Sequence, residues 1–333
     1  MLTLKCQIEI RSKSTKKTVR FDYANSIEVK TSCNSLTDTA VLKLPRKMSW
    51  RGKPLTDYVR RNDGITIRAG YAEHGLETLF QGYVKDVENG RPVEITCENE
   101  MRRLKGITVE PEIIPNFDIR AFMRRYAPDI RVAGPAKMDF GTVTVERQSL
   151  AHFLDGLTSK FKWLRAFFRD GVCVALFDPD GLDDVKVVSL DPTRNIISDS
   201  LKYTLAEDVK VCVKATSIKE DNTKIEVTVP AEAEANPSEY EQRHFLLPGY
   251  TDALSLKEAA EKTLAEYKTD KMEGTLTLFG IPFVRKGDVV RLTDKDRPER
   301  DGKRFRVDAV TYGFGTGGYR QEVTLGKRIG RGE

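Results

Sequence analysis

The first hundred residues alternate, and that alternation restricts the fold more than any other feature of the chain. Leu2, Leu4, Cys6, Ile8 and Ile10 are spaced two apart, with polar residues between most of them. The same period recurs in Gly64-Ile65-Thr66-Ile67-Arg68-Ala69-Gly70-Tyr71 and in Val93, Ile95 and Cys97. Period two puts every second side chain on one face, the signature of a strand buried on one side. Between these runs lie short polar or glycine-containing turns such as Ser12 to Lys17, and Pro45 closes the Ala40–Leu44 run because proline cannot donate to a ladder. Many short strands with no helix between them imply an antiparallel sandwich or barrel.

One stretch inside this region, Gly75 to Val84 (GLETLFQGYV), is a single letter away from a protease-cleavage linker. An engineered linker sits between domains and interrupts their patterns. Here the flanking alternation runs up to it on both sides, so the segment is expected to be a strand of the fold.

From about residue 106 the pattern changes. Ile119, Phe122, Met123 and Tyr126 fall at helical spacing behind Asp118, a natural N-cap, with Pro128 beyond. Leu150, Phe153, Leu154, Leu157 and Phe161 form a second stripe behind Ser149. Then Trp163–Phe168 and Val172–Phe177 flank Arg169-Asp170-Gly171, and Asp-Gly between apolar runs predicts a hairpin. Strands resume near residue 200 with Val209–Ile218 and Lys224–Pro230. Ala231 to Glu239 reads as an exposed loop, and a helix is expected behind the capping box Ser255-Leu256-Lys257-Glu258. Gly274–Phe279, Val289–Leu292, Phe305–Gly313 and Tyr319–Leu325 read as the last strands. The expected layout is a β-barrel domain over 1–105, a small α+β module over 106–200, and a second β-barrel with one packed helix over 201–333.

Composition removes several classes of function. With 39% hydrophobic and 32% charged residues the chain is globular rather than disordered. No apolar run approaches the roughly 20 residues of a membrane helix, and no signal peptide is visible. The five cysteines are far apart and form no CxxC pair, so buried reduced thiols are expected rather than disulfides or a metal knuckle. The 55 basic residues are nearly matched by 50 acidic ones, too balanced for a nucleic-acid clamp.

Catalysis has little support. The only histidines are His74 in a turn, His152 within an amphipathic helix and His244 in a charged segment read as a loop. No Gly-x-Ser-x-Gly elbow, HExxH helix or phosphate loop is present. Gly313 to Gly318 is glycine-rich but joins two strands, and a phosphate cradle needs a helix N-terminus behind it. The carboxylates of Asp178 to Asp184 lack the glutamate and flanking helices of a calcium loop, and Asp294 to Gly302 reads as a mixed-charge hairpin loop. No catalytic, cofactor-binding or metal-binding residue is assigned.

Three stretches together resemble the baseplate hub proteins of contractile phage tails and related injection systems, the late-control-D-like or hub half of VgrG-like proteins. The first is Asn62 to Tyr71 with Leu79-Phe80-Gln81-Gly82-Tyr83-Val84, similar to the family's Gly-Asp strand pair, although its Gly-Asp order stands here as Asp63-Gly64. The second is the Ser149–Leu157 helix with the Asp-Gly hairpin, and the third is Gly280 to Val290 with Asp301 to Val307. The resemblance implies a mainly β fold with two tail-tube-like antiparallel β-barrel domains flanking a small α+β module. It implies a structural protein made in the bacterial cytoplasm and resident in a virion tail or injection particle. Its partners would be two further copies in a homotrimer, a trimeric spike, and tail tube and baseplate proteins, with no membrane, nucleic acid or cofactor. Ending at Glu333, the chain is expected to lack the needle and lysozyme-like modules fused to some relatives. Two other readings stay open: a hexameric distal-tail or tube-adaptor protein, and a carbohydrate-binding adhesive β-protein. No internal repeat is visible at the level of letters.

Overall fold

The structure, a computed structural model, describes residues 2–50, 52–134, 140–161, 164–176, 185–204, 210–218, 223–247, 250, 252–267 and 271–329. The chain forms two compact units, one of residues 1–200 with 274–333 and one of residues 201–273.

In the larger unit the alternating N-terminal runs become β1 (Leu4–Arg11), β2 (Thr18–Phe21), β3 (Ser26–Ser32), β4 (Thr39–Leu44), β5 (Gly64–Tyr71), β6 (Gly75–Glu88) and β7 (Val93–Glu98). GLETLFQGYV is the first part of β6, paired to β5 on one side, with β6 continuing onto β7 on the other. The period-two residues of β1, β5 and β7 do what the pattern requires: Ile8, Ile10, Ile65, Ile67, Val93 and Ile95 are buried.

The α+β module follows. It comprises α1 (Met101–Leu104), α2 (Ile119–Tyr126), α3 (Leu150–Lys160), β8 (Arg165–Arg169) and β9 (Val172–Leu176). Both expected caps are present, Asp118 accepting from the Arg120 N–H and Ser149 from the His152 N–H. The stripes of α2 and α3 meet in one core, where Phe117 lies 5.3–5.7 Å from the rings of Phe122, Phe140 and Phe153. Asp170 and Gly171 turn the hairpin with φ of 51° and 76°, the left-handed pair that a tight two-residue loop demands. Phe167 and Phe168 are core residues, whereas Trp163 and Asp178 to Asp184 lie outside the described residues.

Next come β10 (Val187–Leu190) and β11 (Ile196–Asp199), which pair with C-terminal strands rather than with the module. The smaller unit holds β12 (Lys202–Thr204), β13 (Val211–Ile218), β14 (Lys224–Val229), α4 (Glu232–Ala235), β15 (Glu241–Leu246), α5 (Ala253–Tyr267) and β16 (Lys271–Glu273). Leu256, Ala260 and Leu264 of α5 pack with Val211, Val213, Ala215 and Val229 of β13 and β14 in its core. Three local expectations are corrected here. Ala231 to Glu239 holds a short helix, α4. The capping residue of α5 is Asp252, whose carboxylate accepts from the Leu254 and Ser255 N–H groups, so Ser255 lies inside the helix. His244 stands in β15, a strand running parallel to β13, not in a loop.

The larger unit ends with β17 (Thr275–Phe279), β18 (Val289–Leu292), β19 (Arg304–Gly315) and β20 (Gly318–Ile329). Its 13-stranded sheet runs β11-β17-β20-β19-β3-β4-β7-β6-β5-β1-β2, with β18 beside β19 and β10 beside β18. Apart from the parallel β10–β18 pair, the described pairs of this sheet are antiparallel. The fold is therefore mainly antiparallel β with a small helical insert.

All five cysteines are free and buried. Burial pushes the Cys6 thiol up to about 11 and those of Cys33 and Cys173 up to about 12, with Cys97 raised further for the same reason. Burial shields all five thiols from reagent, and in Cys6, Cys33, Cys97 and Cys173 it also suppresses the reactive thiolate. The native protein is therefore expected to leave all five unmodified by a maleimide in mildly alkaline buffer, and to expose all five in urea. Rapid modification of one native thiol would contradict its placement.

Candidate functional site

Two β bodies share the large sheet, and they meet at a cluster of buried ion pairs. Lys286 is the centre. Its Nζ lies 2.7 Å from both oxygens of Asp38 and 3.3 Å from the Ser32 carbonyl, and sits 5.3 Å over the Phe167 ring. Asp38 also accepts from the Ser32 N–H at 3.2 Å and from Asn99 Nδ2 at 3.4 Å. Beside it, Asp288 is fully buried, accepting from Arg169 at 2.8 Å and from the Arg285 N–H at 2.9 Å. Arg285 reaches Asp170 at 3.1 Å. One patch thus joins the loop before β4, the β8–β9 hairpin of the helical module and the loop before β18.

Each cation faces a carboxylate, and no histidine lines the cleft above the pairs. His74, His152 and His244 are all exposed and far apart in sequence, in a turn, on α3 and on β15. Burial raises the Asp38 carboxyl, opposed by the Lys286 ammonium and by its hydrogen bonds. Buried pairs of this kind add little net stability but penalise any arrangement that separates them. They fix how the two β bodies and the helical module are set against one another.

Asp288 also shows that the two bodies repeat. In the second body the Asp288 side chain accepts from the Arg285 N–H, its N–H donates to the Arg285 carbonyl, and its carbonyl accepts from the Val307 N–H. In the first body Asp63 makes the same three bonds, with Arg60 and Val84. Gly287 donates to the Val307 carbonyl just as Asn62 donates to that of Val84, with φ of 81° and 68°. The sequence reading of a reversed Gly-Asp order is corrected accordingly. Asn62 fills the glycine position, because asparagine tolerates the left-handed region, and Asp63 matches Asp288.

The equivalence extends outward. The register breaks between Val84 and Asp86 in β6, and between Val307 and Ala309 in β19. The first body is ordered β1-β5-β6-β7-β4-β3, and the second β10-β18-β19-β20-β17-β11. The ends differ: β1 is antiparallel to β5 and carries β2 beyond it, whereas β10 is parallel to β18. The fourth ligand of the turn differs too. Asp63 takes the Lys13 N–H at 2.8 Å, where Asp288 takes the Arg169 side chain. The second copy of the turn is the one tied to the helical module.

Solved structures share this architecture over nearly its full length. The 43 kDa tail protein of prophage MuSo2 from Shewanella oneidensis superposes with a TM-score of 0.63 at 13% identity, covering 97% of each chain. The tail protein from Neisseria meningitidis MC58 gives 0.64 at 12% identity, over 98% of this chain and 97% of that one. The chain has the fold of these tail proteins. The E. coli c3393 protein, described as a type VI secretion component similar to the T4 tail proteins gp27 and gp5, gives 0.57 at 11% identity over 97% and 79%. No family model matches the sequence, and no curated protein matches it. The likeness lies in the fold, so the roles of individual residues rest on their own geometry.

No sequence feature had marked the junction. Lys286 and Asp288 fall within the Gly280–Val290 stretch and Arg169 within the Asp-Gly hairpin, both of which carried the resemblance, but Asp38 bears no local signal. Among the described residues, no helix is long and apolar enough to cross a membrane.

Proposed function

We propose that the chain is the structural hub of a phage-tail-like baseplate, in which three copies form a ring joining a six-fold tail tube to a three-fold spike. The observation that supports it is the repeated body. A chain with two equivalent β bodies supplies six similar bodies from three copies, which suits a six-fold tube on one face. True three-fold symmetry remains for a trimeric spike on the other. A closed ring satisfies every interface without open-ended growth. The same observation favours the trimer over a hexameric distal-tail or tube-adaptor protein, and an adhesin gains nothing from a second body. The role is that of a non-enzymatic part of a tail or injection particle, with tail tube, spike and baseplate proteins as neighbours.

The test is to co-express the chain with its trimeric spike and image the product. The expected result is a ring of three chains with six similar lobes, capped by one spike. A ring of six chains, or a particle map that puts this chain in the tube wall or a fibre, would overturn the reading.

A further inference from the structure

We propose that the ring closes through one strand pair, in which the edge of β6 at Asp86–Glu88 takes up β12 (Lys202–Thr204) of a second copy of this chain. This rests on the ring reading above and gives it a register.

β19 changes partner along its length: residues 304–306 pair with β18, and beyond the break at Asp308 residues 309–315 pair with β3. β6 is its equivalent in the first body. Residues 75–83 pair with β5, the break falls at Lys85, and Asp86–Glu88 pair with β7. On the β5 side of Asp86–Glu88, among the described residues, no strand takes the place that β3 takes beside β19. The Val87 N–H is held by the Asp86 carboxylate at 2.9 Å, and Asp86 is held in turn by Arg61. A charged side chain occupying an edge donor is how a protein keeps such an edge from pairing indiscriminately.

The segment that should fill the place is found by the same equivalence. In the first body Ile27 faces Leu42 and Lys30 faces Thr39. In the second, Asp199 faces Leu276, and β12 keeps the register with Lys202 facing Glu273. Aligning Ile27 with Asp199 puts Lys202 where Lys30 stands and Tyr203 where Thr31 stands. Aligning Val84 with Val307 puts Val87 where Val310 stands and Glu88 where Thr311 stands. The pairs Val310–Thr31 and Thr311–Lys30 inside the chain then become Val87–Tyr203 and Glu88–Lys202 between copies. Valine and lysine recur at the aligned positions. Glu88 and Lys202 are both exposed, and opposite charges directly across a strand pair attract.

The experiment uses two single variants, Val87→Cys and Tyr203→Cys, co-expressed under different affinity tags and mildly oxidised. A chain carrying Thr31→Cys with Val310→Cys is the control, because it samples the same pairing within one molecule. The expected result is a disulfide linking the two tagged variants and none in either alone, with the control closed. Glu88→Lys should reduce the cross-linked fraction at least several-fold, and Lys202→Glu added to it should restore the link. Solution mass separates the two failures. Trimers without the link, beside a closed control, overturn this strand pairing and leave the ring reading standing. Absence of the link when the two variants are co-expressed with the spike, beside a closed control, overturns the pairing, and absence of a three-chain ring in that same preparation overturns the ring reading with it.

Discussion

Lys286→Met is expected to destabilise the larger unit by about 3–5 kcal/mol, the usual consequence of leaving a buried charge without its partner. Asp38 is 6% exposed and Lys286 5% exposed, so water cannot replace the lost ammonium. The Ser32 N–H and Asn99 would be the remaining partners of Asp38. The loss should depend on pH with a definite sign. Burial already raises the Asp38 carboxyl, and Lys286 is the leading opposing influence. Without it the folded-state value climbs further above the unfolded one. A carboxyl raised in this way contributes its stability below the unfolded pKa and loses it as pH rises through the folded value. Urea titrations should therefore show the gap between variant and parent closing as pH falls from neutral toward about 4. Asp38→Asn combined with Lys286→Met should recover most of the loss, since an amide tolerates the site without a counter-charge. A single variant that loses less than about 1 kcal/mol, as an exposed pair would, or a gap independent of pH, would refute the buried-pair account.

That junction also shows where sequence reading stops. The α2 cap was legible because everything it needs is local: Asp118 two residues from the N–H it accepts, and apolar residues at helical spacing behind it. The strands of the first body were legible because one buried face imposes period two on each of them. Asp38 and Lys286 lie 248 residues apart, and Arg169 and Asp288 lie 119 apart. Nothing near any of these residues announces its partner. Where local rules competed, composition misled. Glu241 to Leu246 is polar enough to read as a loop, but pairing with β13 makes it a strand. Ser255 and Glu258 satisfy a capping-box spacing, yet Asp252 reaches the first free N–H groups of α5 ahead of them.

The internal repeat was hidden for a different reason. A few letters do recur around the turn and bulge, Arg60, Asp63, Val84 and Val87 against Arg285, Asp288, Val307 and Val310. The Arg–Asp spacing is the same in both copies, but the loops between strands differ in length, so Val84 falls 21 residues after Asp63 and Val307 only 19 after Asp288. Between β3 and β4 the chain turns within a few residues, whereas the equivalent strands β11 and β17 are separated by the whole smaller unit. Hydrogen bonds preserve the equivalence because the left-handed residue, the carboxylate and the bulge must fit one another. Side chains elsewhere in the two bodies are free to diverge.

Gly82→Val is expected to destabilise the first body by about 1–3 kcal/mol through overpacking. Glycine in a strand interior marks a close approach by another backbone, and here three approaches coincide. A Cβ at Gly82 would lie 2.4 Å from the Glu98 carbonyl, 2.8 Å from Phe80 Cζ and 2.9 Å from Asn99 Cα. The phenyl ring can turn aside, but the two backbone atoms cannot. Glu98 is buried at the end of β7, and its carboxylate is clamped by Lys85 at 2.9 Å and Lys105 at 2.7 Å. Asn99 is buried as well, bonded through its side chain to the Leu36 carbonyl and to Asp38. Any shift that makes room for valine therefore pulls on Asp38, the partner of Lys286, and the strain should reach the junction. Gly313→Ala in β19 is the control, because a Cβ there meets nothing within 4 Å; it should stay within about 0.5 kcal/mol of the parent. Denaturation midpoints of the two variants decide the matter. Equal midpoints would mean that β6 has room at Gly82, and that the packing of β6 against β7 is looser than this geometry requires.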